Sequence, residues 1–515
     1  MVQHNSCCDS ACEGENMNRF RLLFVTPPYH PYNLADEKTY VVEPIQFEVL
    51  ASLLDETKFD VQLLDLRLER RNPLGALKRM LQSFRPNAVG FTSWTMHVAS
   101  VRRYLAHVKQ FDASIVTMVG GHHAGITPSD FADPNIDYIM MGESYLSFRQ
   151  FMERLQAGIR DVSDLDGMAY RSGDEFISTG PSVISRQFDL NQLPFPNRNI
   201  LGKYKKRYYH LWWKPIASLR TGMGCPSRCG FCNLWRPNRG KYLTWSPDYV
   251  IEYLQRLEEK YVLFVDDHFF GDVRRAYAIG EAIQKAGIKK QYCLYSRSDA
   301  IAKHPELVEL WAKIGLKRVR MGLESYSDVE LDGLTKCNSV ENNDTAIQTL
   351  KKHGVYTEGL FMVGLDYKAK EFNELAEYIR SRKIEVPNIT VYTPMPGTEE
   401  FSRTRDQMLF TDSEYFDFQH MVLPTKLDRK TFCHLYGRLL LKAQRPPLEQ
   451  IGLIGLPRFL QRMPSFWRYF FSVYSSHRHY RRPPHEEKLQ PTLAWRQPKG
   501  RTGASTESGE LVTIH

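Results

Sequence analysis

The sequence predicts an α/β protein with two consecutive parallel-sheet units and a helical C-terminal region. Short apolar runs alternate with amphipathic helical segments over residues 20–155 and again over residues 215–405. Such alternation is typical of parallel sheets, here a doubly wound sheet followed by a partial (β/α)6 barrel. The 515 residues suffice for about three domains of ~150 residues each, and 42% hydrophobic with 25% charged residues is ordinary for a globular enzyme.

Residues 1–19 are polar and patternless, which predicts a disordered N-terminus. Cys7, Cys8 and Cys12 lie there without any Cys-x-x-Cys unit, so we expect them to be tail residues and not metal ligands. We find no signal peptide in the sequence. The nine cysteines are therefore expected to be metal-bound or free thiols of a cytoplasmic protein.

The first unit, residues 20–155, contains five predicted strands with helices between them. The strands cover residues 22–26, 61–66, 88–92, 115–119 and 138–141, and the helices include residues 45–54, 74–84 and 98–108. In a doubly wound sheet a ligand binds beyond the carboxyl ends of the strands, at the switch point. Gly120 and Gly121 lie there, where their lack of side chains would let the backbone approach a bulky ligand closely.

A glycine-rich loop at residues 222–232 holds the three cysteines around which the second unit is organised. Cys225, Cys229 and Cys232 are spaced Cys-x-x-x-Cys-x-x-Cys, which can place three thiolates on one [4Fe-4S] cluster and leave one iron open. A structural zinc site is a poorer interpretation, because no second ligand pair follows at finger spacing. Incidental buried cysteines are also disfavoured, since glycine and proline are interspersed among them.

Residues 156–214 are predicted to be a connection that contains a hairpin at residues 168–178. The second unit, residues 215–405, then contains six predicted strands, at residues 215–219, 262–265, 292–295, 318–321, 359–363 and 389–392. Six strand–helix units predict an open, partial (β/α)6 barrel with its site at the carboxyl ends of the strands. Polar residues follow these strands and form a predicted ring above the cysteine loop: Asp266, Asp267, Arg297, Asp299, Glu324 and Ser325. One such residue is a common helix cap, whereas a ring of them indicates a site.

Residues 406–475 are predicted to be helical and to cap the barrel through one stripe of apolar side chains, namely Phe432, Leu435, Leu439 and Leu440. An aromatic cluster at residues 459–474 contains arginines and lacks the ~20 apolar residues that a membrane-spanning helix needs. We interpret this cluster as packing onto the barrel. The alternative is a basic amphipathic surface helix that contacts membranes or carries a lipophilic substrate.

Residues 476–515 are predicted to form a disordered basic tail. Residues 442–501 contain 12 lysines and arginines against 3 glutamates, which accounts for the whole net charge of +9. The rest of the protein is therefore close to neutral. No recognised nucleic-acid-binding module accompanies the tail, so no nucleic acid is expected as a partner.

The cysteine spacing, with Phe231 before the last cysteine, resembles the cluster loop of the radical S-adenosylmethionine (SAM) superfamily. A second likeness lies ahead of that loop and concerns the cobalamin-binding domain of cobalamin-dependent radical SAM enzymes. The first unit resembles this domain in the order of its motifs, which are a strand, Gly-Gly-x-His, an Ile-Asp strand and Gly142-Glu143. The resemblance implies a Rossmann-like cobalamin-binding domain at residues 20–155 and a radical SAM domain at residues 215–405. It implies three cofactors, which are cobalamin, SAM and a [4Fe-4S] cluster on Cys225, Cys229 and Cys232.

The same resemblance implies which residues contact the cofactors. SAM would lie against residues of the cysteine loop and the strand ends, namely Phe231, Asp266, Asp267, Arg297, Glu324 and Ser325. Cobalamin would lie against Gly120, Gly121 and His122. No catalytic residue is assigned.

A literal match to the signature of cobalamin enzymes that ligate cobalt through a histidine is formed by Asp266, His268 and Gly271, but it lies in the wrong domain. The loop in which that signature belongs, residues 26–32, contains His30 and lacks the pattern. We therefore expect cobalamin to bind without a protein histidine below the cobalt.

Segments farther along the chain resemble one branch of this enzyme group. Residues 291–299, 322–324, 388–391, 394–398 and 416–425 resemble a branch that contains hopanoid C-3 methylases and bacteriochlorophyllide side-chain methyltransferases. This implies methylation of an unactivated carbon of a bulky hydrophobic substrate, with a bacteriochlorophyllide-type tetrapyrrole narrowly ahead of a hopanoid. In that chemistry one SAM methylates cobalamin, and another is reductively cleaved to the radical that takes a hydrogen from the substrate. An electron donor such as ferredoxin or flavodoxin is implied as a partner.

Three other classes compete with methyl transfer. An anaerobic oxidative cyclase of related domain order would form a ring or oxygenate its substrate without methyl transfer. A non-catalytic cobalamin sensor is disfavoured by the cluster loop. A methylthiotransferase would use three further cysteines in its first domain, and residues 20–160 contain none. The protein is expected in the cytoplasm, with peripheral contact at a membrane surface as the alternative for its C-terminal helices.

Overall fold

The computed structural model describes residues 19–29, 40–182, 188–237, 240–476, 478 and 493–496. The expectations for Cys7, Cys8, Cys12 and His30 fall outside these residues, as does most of the predicted C-terminal tail. Two large sheets organise the described chain, in agreement with the predicted α/β class.

The first unit is a sheet covered by helices on both faces. The strands of this part of the chain are β1 Phe20–Thr26, β2 Tyr40–Val41, β3 Phe59–Asp65, β4 Ala88–Thr92, β5 Val116–Gly120, β6 Tyr138–Met140, β7 Met168–Ser172 and β8 Glu175–Ser178. The helices are α1 Ile45–Ser52, α2 Pro73–Phe84, α3 Val98–Phe111, α4 His122–Ile126 and α5 Tyr145–Gln156. Strands β3, β1, β4, β5 and β6 run parallel in that order, and β7 and β8 extend the sheet antiparallel. The predicted strands and hairpin are confirmed, with small shifts of their ends.

Strand β1 shows how the sequence builds this doubly wound layer. Leu22 and Phe24 pack in the layer of α1 and α5, whereas Leu23 and Val25 pack in the layer of α2 and α3, because successive side chains of a strand point to opposite faces. The strand order changes direction between β1 and β4. The carboxyl ends of these two strands therefore border a crevice of the kind in which such sheets bind ligands.

The second unit is an open barrel. Its part of the chain contains strands β9 Tyr209–His210, β10 Ile216–Leu219, β11 Gly222–Met223, β12 Leu243–Thr244, β13 Tyr261–Phe264, β14 Gln291–Arg297, β15 Leu316–Glu324, β16 Tyr356–Val363 and β17 Val386–Val391. Its helices are α6 Pro247–Arg256, α7 Val273–Lys285, α8 Ser298–Lys303, α9 Pro305–Lys313, α10 Asp328–Gly333, α11 Val340–Lys352, α12 Ala369–Ser381 and α13 Glu399–Thr404. Strands β10, β13, β14, β15, β16 and β17 pair in parallel in chain order, which confirms the predicted six-stranded partial barrel.

A buried ionic network lies inside this barrel. Arg318 Nη1 of β15 donates to Glu358 Oε1 of β16 at 3.1 Å, and the Arg318 guanidinium lies 3.7 Å from the ring centroid of Trp213. Burial raises the pKa of Glu358, but His210 and the two arginines Arg318 and Arg320 outweigh it and hold the pKa at about 2. Ligand atoms of His210, Cys293 and Glu358 lie within 4.8 Å of one another. Because two guanidinium groups already balance the single carboxylate, we interpret the group as structural and not as a metal site.

A second buried network joins the two units to the connection between them. Arg198, in the connection, donates to Glu259 Oε2 at 2.8 Å and also to Glu43 of the first unit. The other Glu43 oxygen accepts from the backbone N–H of Ser218 in β10 at 2.6 Å. Glu48 lies 4.0 Å from Arg198, and neither of its oxygens has a hydrogen-bond partner among the described residues. One guanidinium therefore holds several buried carboxylates at the junction.

The C-terminal region consists of α14 Arg429–Lys442, α15 Pro447–Ile454 and α16 Leu456–Tyr474. Phe432, Leu439 and Leu440 are buried as predicted, and Leu435 is half-buried against the same core. Among the described helices, none combines the length and the apolar character that a bilayer-spanning segment requires.

A short strand, β18 Ala494–Arg496, lies within the segment that the sequence predicts to be disordered. It pairs in parallel with β8 at the edge of the first sheet, and the Trp495 ring stacks on Phe176 at 6.3 Å between centroids. The prediction of disorder is therefore wrong for residues 494–496, which form a strand. The pairing partner is far away along the chain, so local composition gives no signal for the strand.

We expect Arg198→Gln to destabilise the fold strongly, because it leaves the buried carboxylates of Glu43 and Glu259 without their cation. Loss of one partner of a buried ion pair costs about 3–5 kcal/mol of unfolding free energy. Arg149 and Glu153 form an exposed pair on α5, so Arg149→Gln is the matched control and should cost less than about 0.5 kcal/mol. Denaturant unfolding followed by circular dichroism measures both values.

The deficit of the Arg198 variant should depend on pH. Burial raises the pKa of Glu43 to about 7, although the charge of Arg198 opposes this rise. Without Arg198 the pKa of Glu43 should therefore rise further. A carboxyl with a raised folded-state pKa stabilises the fold at low pH and loses this contribution as pH rises through that pKa. The variant should therefore lie closer to the parent protein at about pH 6 than at about pH 8. An equal deficit at both values would contradict the assignment.

Candidate functional site

The cysteine loop connects β11 to β12, whose pairing of Gly222 with Thr244 ties the two ends of the loop together. Cys225, Cys229 and Cys232 are free and half-buried on this loop. Burial raises the pKa of Cys225 and raises that of Cys232 to about 12. Thiolates at these positions therefore need a compensating positive charge, which iron supplies when it binds. Three sulfurs on one loop fit the predicted three-ligand cluster.

Arg297, at the end of β14, lies directly against this loop. Its Nη1 is 3.4 Å from Cys229 Sγ, its Nε donates to Asp299 Oδ1 at 2.9 Å, and its Nη2 donates to the carbonyl oxygen of Lys336 at 2.8 Å. The two oxygen contacts fix the guanidinium in place. The contact with Cys229 Sγ puts a fixed positive charge beside a predicted cluster ligand, where it stabilises the negative charge of the thiolate.

Asp266 holds the start of the cysteine loop, and its predicted contact with SAM stays a prediction. Its Oδ1 accepts from the backbone N–H of Thr221 at 2.6 Å, and its Oδ2 accepts from the hydroxyl of the same threonine. Arg275 donates to the Thr221 carbonyl oxygen at 2.6 Å. Asp266 is almost fully buried, so its carboxylate is committed to the start of the cysteine loop. It is a positioning residue for that loop.

Asp267, the next residue, is surrounded by protein atoms but has a solvent-accessible side chain, so it remains available to a ligand. Arg220 at the end of β10 donates to Glu143 Oε1 of the first unit at 3.0 Å, and both side chains influence Asp267. The surrounding protein raises the pKa of Asp267 to about 7 by desolvation, with Asp266 and Glu143 adding to the rise and Arg220 opposing it. A charged group shared by both units therefore borders the cysteine loop.

Glu324 and Ser325 also have their polar atoms engaged within the protein. Glu324 Oε1 accepts from Lys336 Nζ at 2.5 Å, and the Ser325 hydroxyl donates to Glu330. Lys336 in turn provides the carbonyl oxygen that holds Arg297. Both residues shape the end of β15, and their predicted direct contacts with SAM stay predictions. Phe231 is half-buried before the last cysteine, and its predicted contact with SAM stays a prediction.

The two glycines of the first unit differ in what they require. Gly121 has a φ of 97°, and a Cβ there would lie 2.7 Å from the backbone nitrogen of Ser93. The fold itself therefore demands glycine at this position, independently of any ligand. At Gly120 an added Cβ would make ordinary contact with Met140 at 3.5 Å. The predicted cobalamin contacts at both glycines stay predictions.

His122 joins the first unit to the cysteine loop. Its Nε2 lies 3.1 Å from Oδ1 of Asn233, the residue after Cys232, and Asn233 Nδ2 donates to the carbonyl oxygen of Pro396 at 3.2 Å. Burial lowers the pKa of His122 to about 4, so the ring is neutral at neutral pH and its Nε2–H can donate to the amide oxygen. The Trp94 ring lies 4.8 Å from the His122 ring and is 44% exposed.

The segment at residues 394–398 completes this junction. Gly397 has a φ of 84°, and a Cβ there would lie 2.4 Å from Ile126 Cγ2, so glycine suits both the backbone conformation and the close packing of the Ile126 side chain. The junction thus brings together α4, the cysteine loop and the end of β17. Sequence reasoning did not select Asn233 or Trp94 as site residues. Asn233 could have been found because it follows the last cysteine, and Trp94 because it lies just after the end of β4.

His268 lies beside the cysteine loop and not beside the first sheet. A Cβ at Gly271 would lie 3.1 Å from His268 Cδ2 and 3.2 Å from Pro226 Cγ. This position agrees with our interpretation that the Asp266–His268–Gly271 match is not the cobalt-ligating signature. Burial, with Arg297 adding to it, lowers the pKa of His268 to about 4.

Two family models match this chain. The B12 binding domain matches residues 34–151, and the radical SAM superfamily matches residues 219–379. These matches fall in the first and second units as the structure defines them. The cofactor assignments that the resemblance implied therefore rest on both sequence and fold.

Curated relatives cover most of the chain. The hopanoid C-3 methylase of Methylococcus capsulatus is 30% identical over 418 residues, which cover 80% of this chain and 78% of that protein. The anaerobic magnesium-protoporphyrin IX monomethyl ester cyclase of Rubrivivax gelatinosus is 26% identical and covers 79% and 74%, respectively. The bacteriochlorophyllide d C-12(1)-methyltransferase of Chlorobaculum tepidum is 24% identical and covers 80% and 85%.

Solved structures show the same fold. The cobalamin-dependent SAM radical enzyme OxsB, with aqua-cobalamin and SAM bound, matches with a TM-score of 0.65 at 14% identity and covers 89% of this chain and 72% of that one. The radical SAM methyltransferase TsrM from Kitasatospora setae, with cobalamin and a [4Fe-4S] cluster bound, matches with a TM-score of 0.58 at 15% identity and covers 76% of each chain. Together with the relative at 30% identity, these findings show that the chain belongs to the cobalamin-dependent radical SAM methyltransferases, enzymes whose cofactors are cobalamin, SAM and a [4Fe-4S] cluster.

Proposed function

We propose that this enzyme transfers a methyl group to an unactivated carbon of a bulky hydrophobic molecule. The observation that carries the proposal is the junction of α4 with the cysteine loop, where His122 meets Asn233 at 3.1 Å. It makes the crevice of the first sheet and the open side of the cysteine loop parts of one cleft. When bound there, the cofactors supply a hydrogen-abstracting radical and a transferable methyl group to the same substrate carbon.

The chain's own residues prepare this cleft. Arg297 holds a positive charge against Cys229, and Asp266 fixes the start of the cysteine loop through Thr221. The ion pair of Arg220 and Glu143 closes the cleft between the two units. These groups bind and orient, and the proposal assigns no proton transfer to any of them.

A small cavity of about 10 Å³ lies beside Arg220. Its lining comes from α1, the connection and α6, and is mostly aliphatic or aromatic, including Ile45, Val49, Leu193, Trp245, Tyr249 and Tyr253. A cavity of this size has room for about one water molecule, so the proposal of an apolar substrate rests on the relatives and not on this cavity. Arg220 links this cavity to the charged group around Asp267.

Of the two substrate classes, we propose a hopanoid ahead of a bacteriochlorophyllide-type tetrapyrrole. The hopanoid C-3 methylase is 30% identical to this chain, whereas the bacteriochlorophyllide methyltransferase of similar coverage is 24% identical. The sequence alone placed the tetrapyrrole ahead of the hopanoid, and the identities of the relatives reverse that order. A ferredoxin or flavodoxin as electron donor, and the reducing cytoplasm as its compartment, are parts of the same proposal.

Oxidative cyclisation is the second candidate, because the cyclase of Rubrivivax gelatinosus is 26% identical over most of both chains. A cyclase would change the substrate without adding carbon. The methylase proposal and the cyclase proposal therefore differ in where the methyl carbon of SAM is found after the reaction. The cobalamin-sensor alternative is disfavoured by membership of an enzyme family.

Reconstituted enzyme supplied with methyl-labelled SAM, a strong reductant and candidate hopanoids or tetrapyrroles should incorporate the labelled carbon into the product. Each methyl delivered should leave one S-adenosylhomocysteine and one 5′-deoxyadenosine, because the two SAM molecules lose different bonds. Mass spectrometry measures all three. Cys229→Ala, which removes a cluster ligand, should form neither product nor 5′-deoxyadenosine. A product that gains oxygen or a ring without labelled carbon would favour the cyclase.

Trp94 tests the proposed position of cobalamin on the first unit. Trp94→Ala should weaken cobalamin binding by about tenfold, because it removes an exposed aromatic surface at the edge of the crevice. Phe111→Ala is the matched control, since Phe111 is 43% exposed at the distant end of α3 and should leave the affinity unchanged. Spectroscopic titration of the full-length protein measures both affinities. Equal affinities in the two variants would place cobalamin elsewhere.

A further inference from the structure

Helix α16 has one face that packs against the protein. Phe470 and Val473 are buried, and the Tyr474 ring stacks on His434 of α14 at 4.3 Å between centroids. The hydroxyl of Ser476, just after the helix, lies 3.1 Å from Cys433 Sγ. These contacts fix the helix along α14 and thereby determine which of its residues point away from the protein.

The opposite face of α16 exposes large apolar side chains in a single stripe. Leu456, Leu460, Trp467 and Phe471 are 51%, 57%, 38% and 57% exposed. Their spacing follows the helical repeat, so all four lie on one side of the helix. Leu448 of α15, at 83% exposure, extends the apolar surface beyond α16. We call these five residues the apolar stripe.

The surroundings of the apolar stripe are basic. Arg458 and Arg468 of the same helix are exposed, as are Arg438 and Lys442 of the adjacent α14. Residues 428–478 contain nine lysines and arginines against two acidic residues. An apolar stripe within a field of positive charge is the surface expected of a helix that lies in a membrane interface rich in anionic lipids.

A second copy of this chain fits the surface less well. A two-fold contact through the apolar stripe would bring the exposed arginines of one copy towards the basic surroundings of the stripe on the other. Like charges brought together in this way oppose association. Anionic lipid headgroups instead neutralise the arginines while the acyl region accepts the apolar side chains.

We propose that α15 and α16 bind the surface of a membrane that contains anionic lipids, with the apolar stripe inserted into the interface and Arg458 and Arg468 at the headgroups. The helices lie on the surface and do not cross the bilayer. This inference rests on the exposed surface alone and does not depend on the reaction catalysed. It gives an enzyme with an apolar substrate access to the compartment in which such a molecule dissolves.

Vesicle co-sedimentation of the full-length, cofactor-loaded protein tests the inference. The parent protein should sediment with vesicles of phosphatidylcholine and phosphatidylglycerol, and should bind pure phosphatidylcholine vesicles several-fold more weakly. The double variant Leu460→Glu, Trp467→Glu should bind the anionic vesicles at least about tenfold more weakly, because two apolar side chains that insert into the membrane interface become charged. Arg458→Glu with Arg468→Glu should weaken binding to anionic vesicles and abolish the preference over neutral ones.

Val329→Glu is the matched control, because Val329 is 82% exposed on α10, away from the C-terminal helices, and should bind as the parent does. Thermal unfolding of each variant checks that it is folded, which is expected since every altered side chain is exposed. Three results would overturn the inference: no sedimentation of the parent with anionic vesicles, equal loss of binding in Val329→Glu, or vesicle binding unaffected by the stripe variant. Self-association that the stripe variant abolishes, without vesicle binding, would assign the surface to a second copy.

Discussion

The contact between α4 and the cysteine loop is the feature on which the site depends. His122 and Asn233 lie 3.1 Å apart, and Gly397 lets the end of the barrel pack directly against Ile126. A carbon radical is short-lived, so the group that generates it and the group that supplies the methyl must face one substrate atom. We propose that the junction provides this by bringing together the carboxyl ends of the strands of two separate parallel sheets, where sheets of both kinds bind their ligands.

Buried charge maintains this arrangement. Arg198 connects carboxylates of both units through the connection, and Arg220 pairs with Glu143 at the rim of the cleft. Arg297 places a further positive charge against a cysteine sulfur. Buried charges of this kind are costly to separate, so relative movement of the two units is opposed by the loss of paired ions. The geometry between the two sheets is therefore held by electrostatics as well as by packing.

The sequence predicted the features that depend on local patterns. Apolar runs such as Ile216–Leu219 located the strands, and the spacing of Cys225, Cys229 and Cys232 located the cluster loop. Contacts with partners distant in the chain are not visible in the sequence. That Asp266 follows a strand is visible in the sequence, but its commitment to Thr221, 45 residues earlier, is not.

The same limit applies to Glu324, Ser325 and the strand near the C-terminus. Glu324 and Ser325 stand at a strand end, yet Lys336 and Glu330 take up their polar atoms, and only the fold shows which partner a carboxylate reaches. The strand Ala494–Arg496 exists because β8 presents an unpaired edge to it. The sequence motif also could not show that a positive φ requires glycine at position 121.

The central claim is that both cofactors occupy one cleft, and the magnetic coupling between them tests it directly. In the reduced, fully loaded protein, the cobalt(II) spin of cobalamin and the reduced cluster are both paramagnetic. Electron paramagnetic resonance should show the two signals broadening or splitting each other, and Cys229→Ala, which lacks a cluster ligand, should show the cobalt signal unperturbed. A cobalt spectrum that is identical with and without the reduced cluster would contradict a shared cleft.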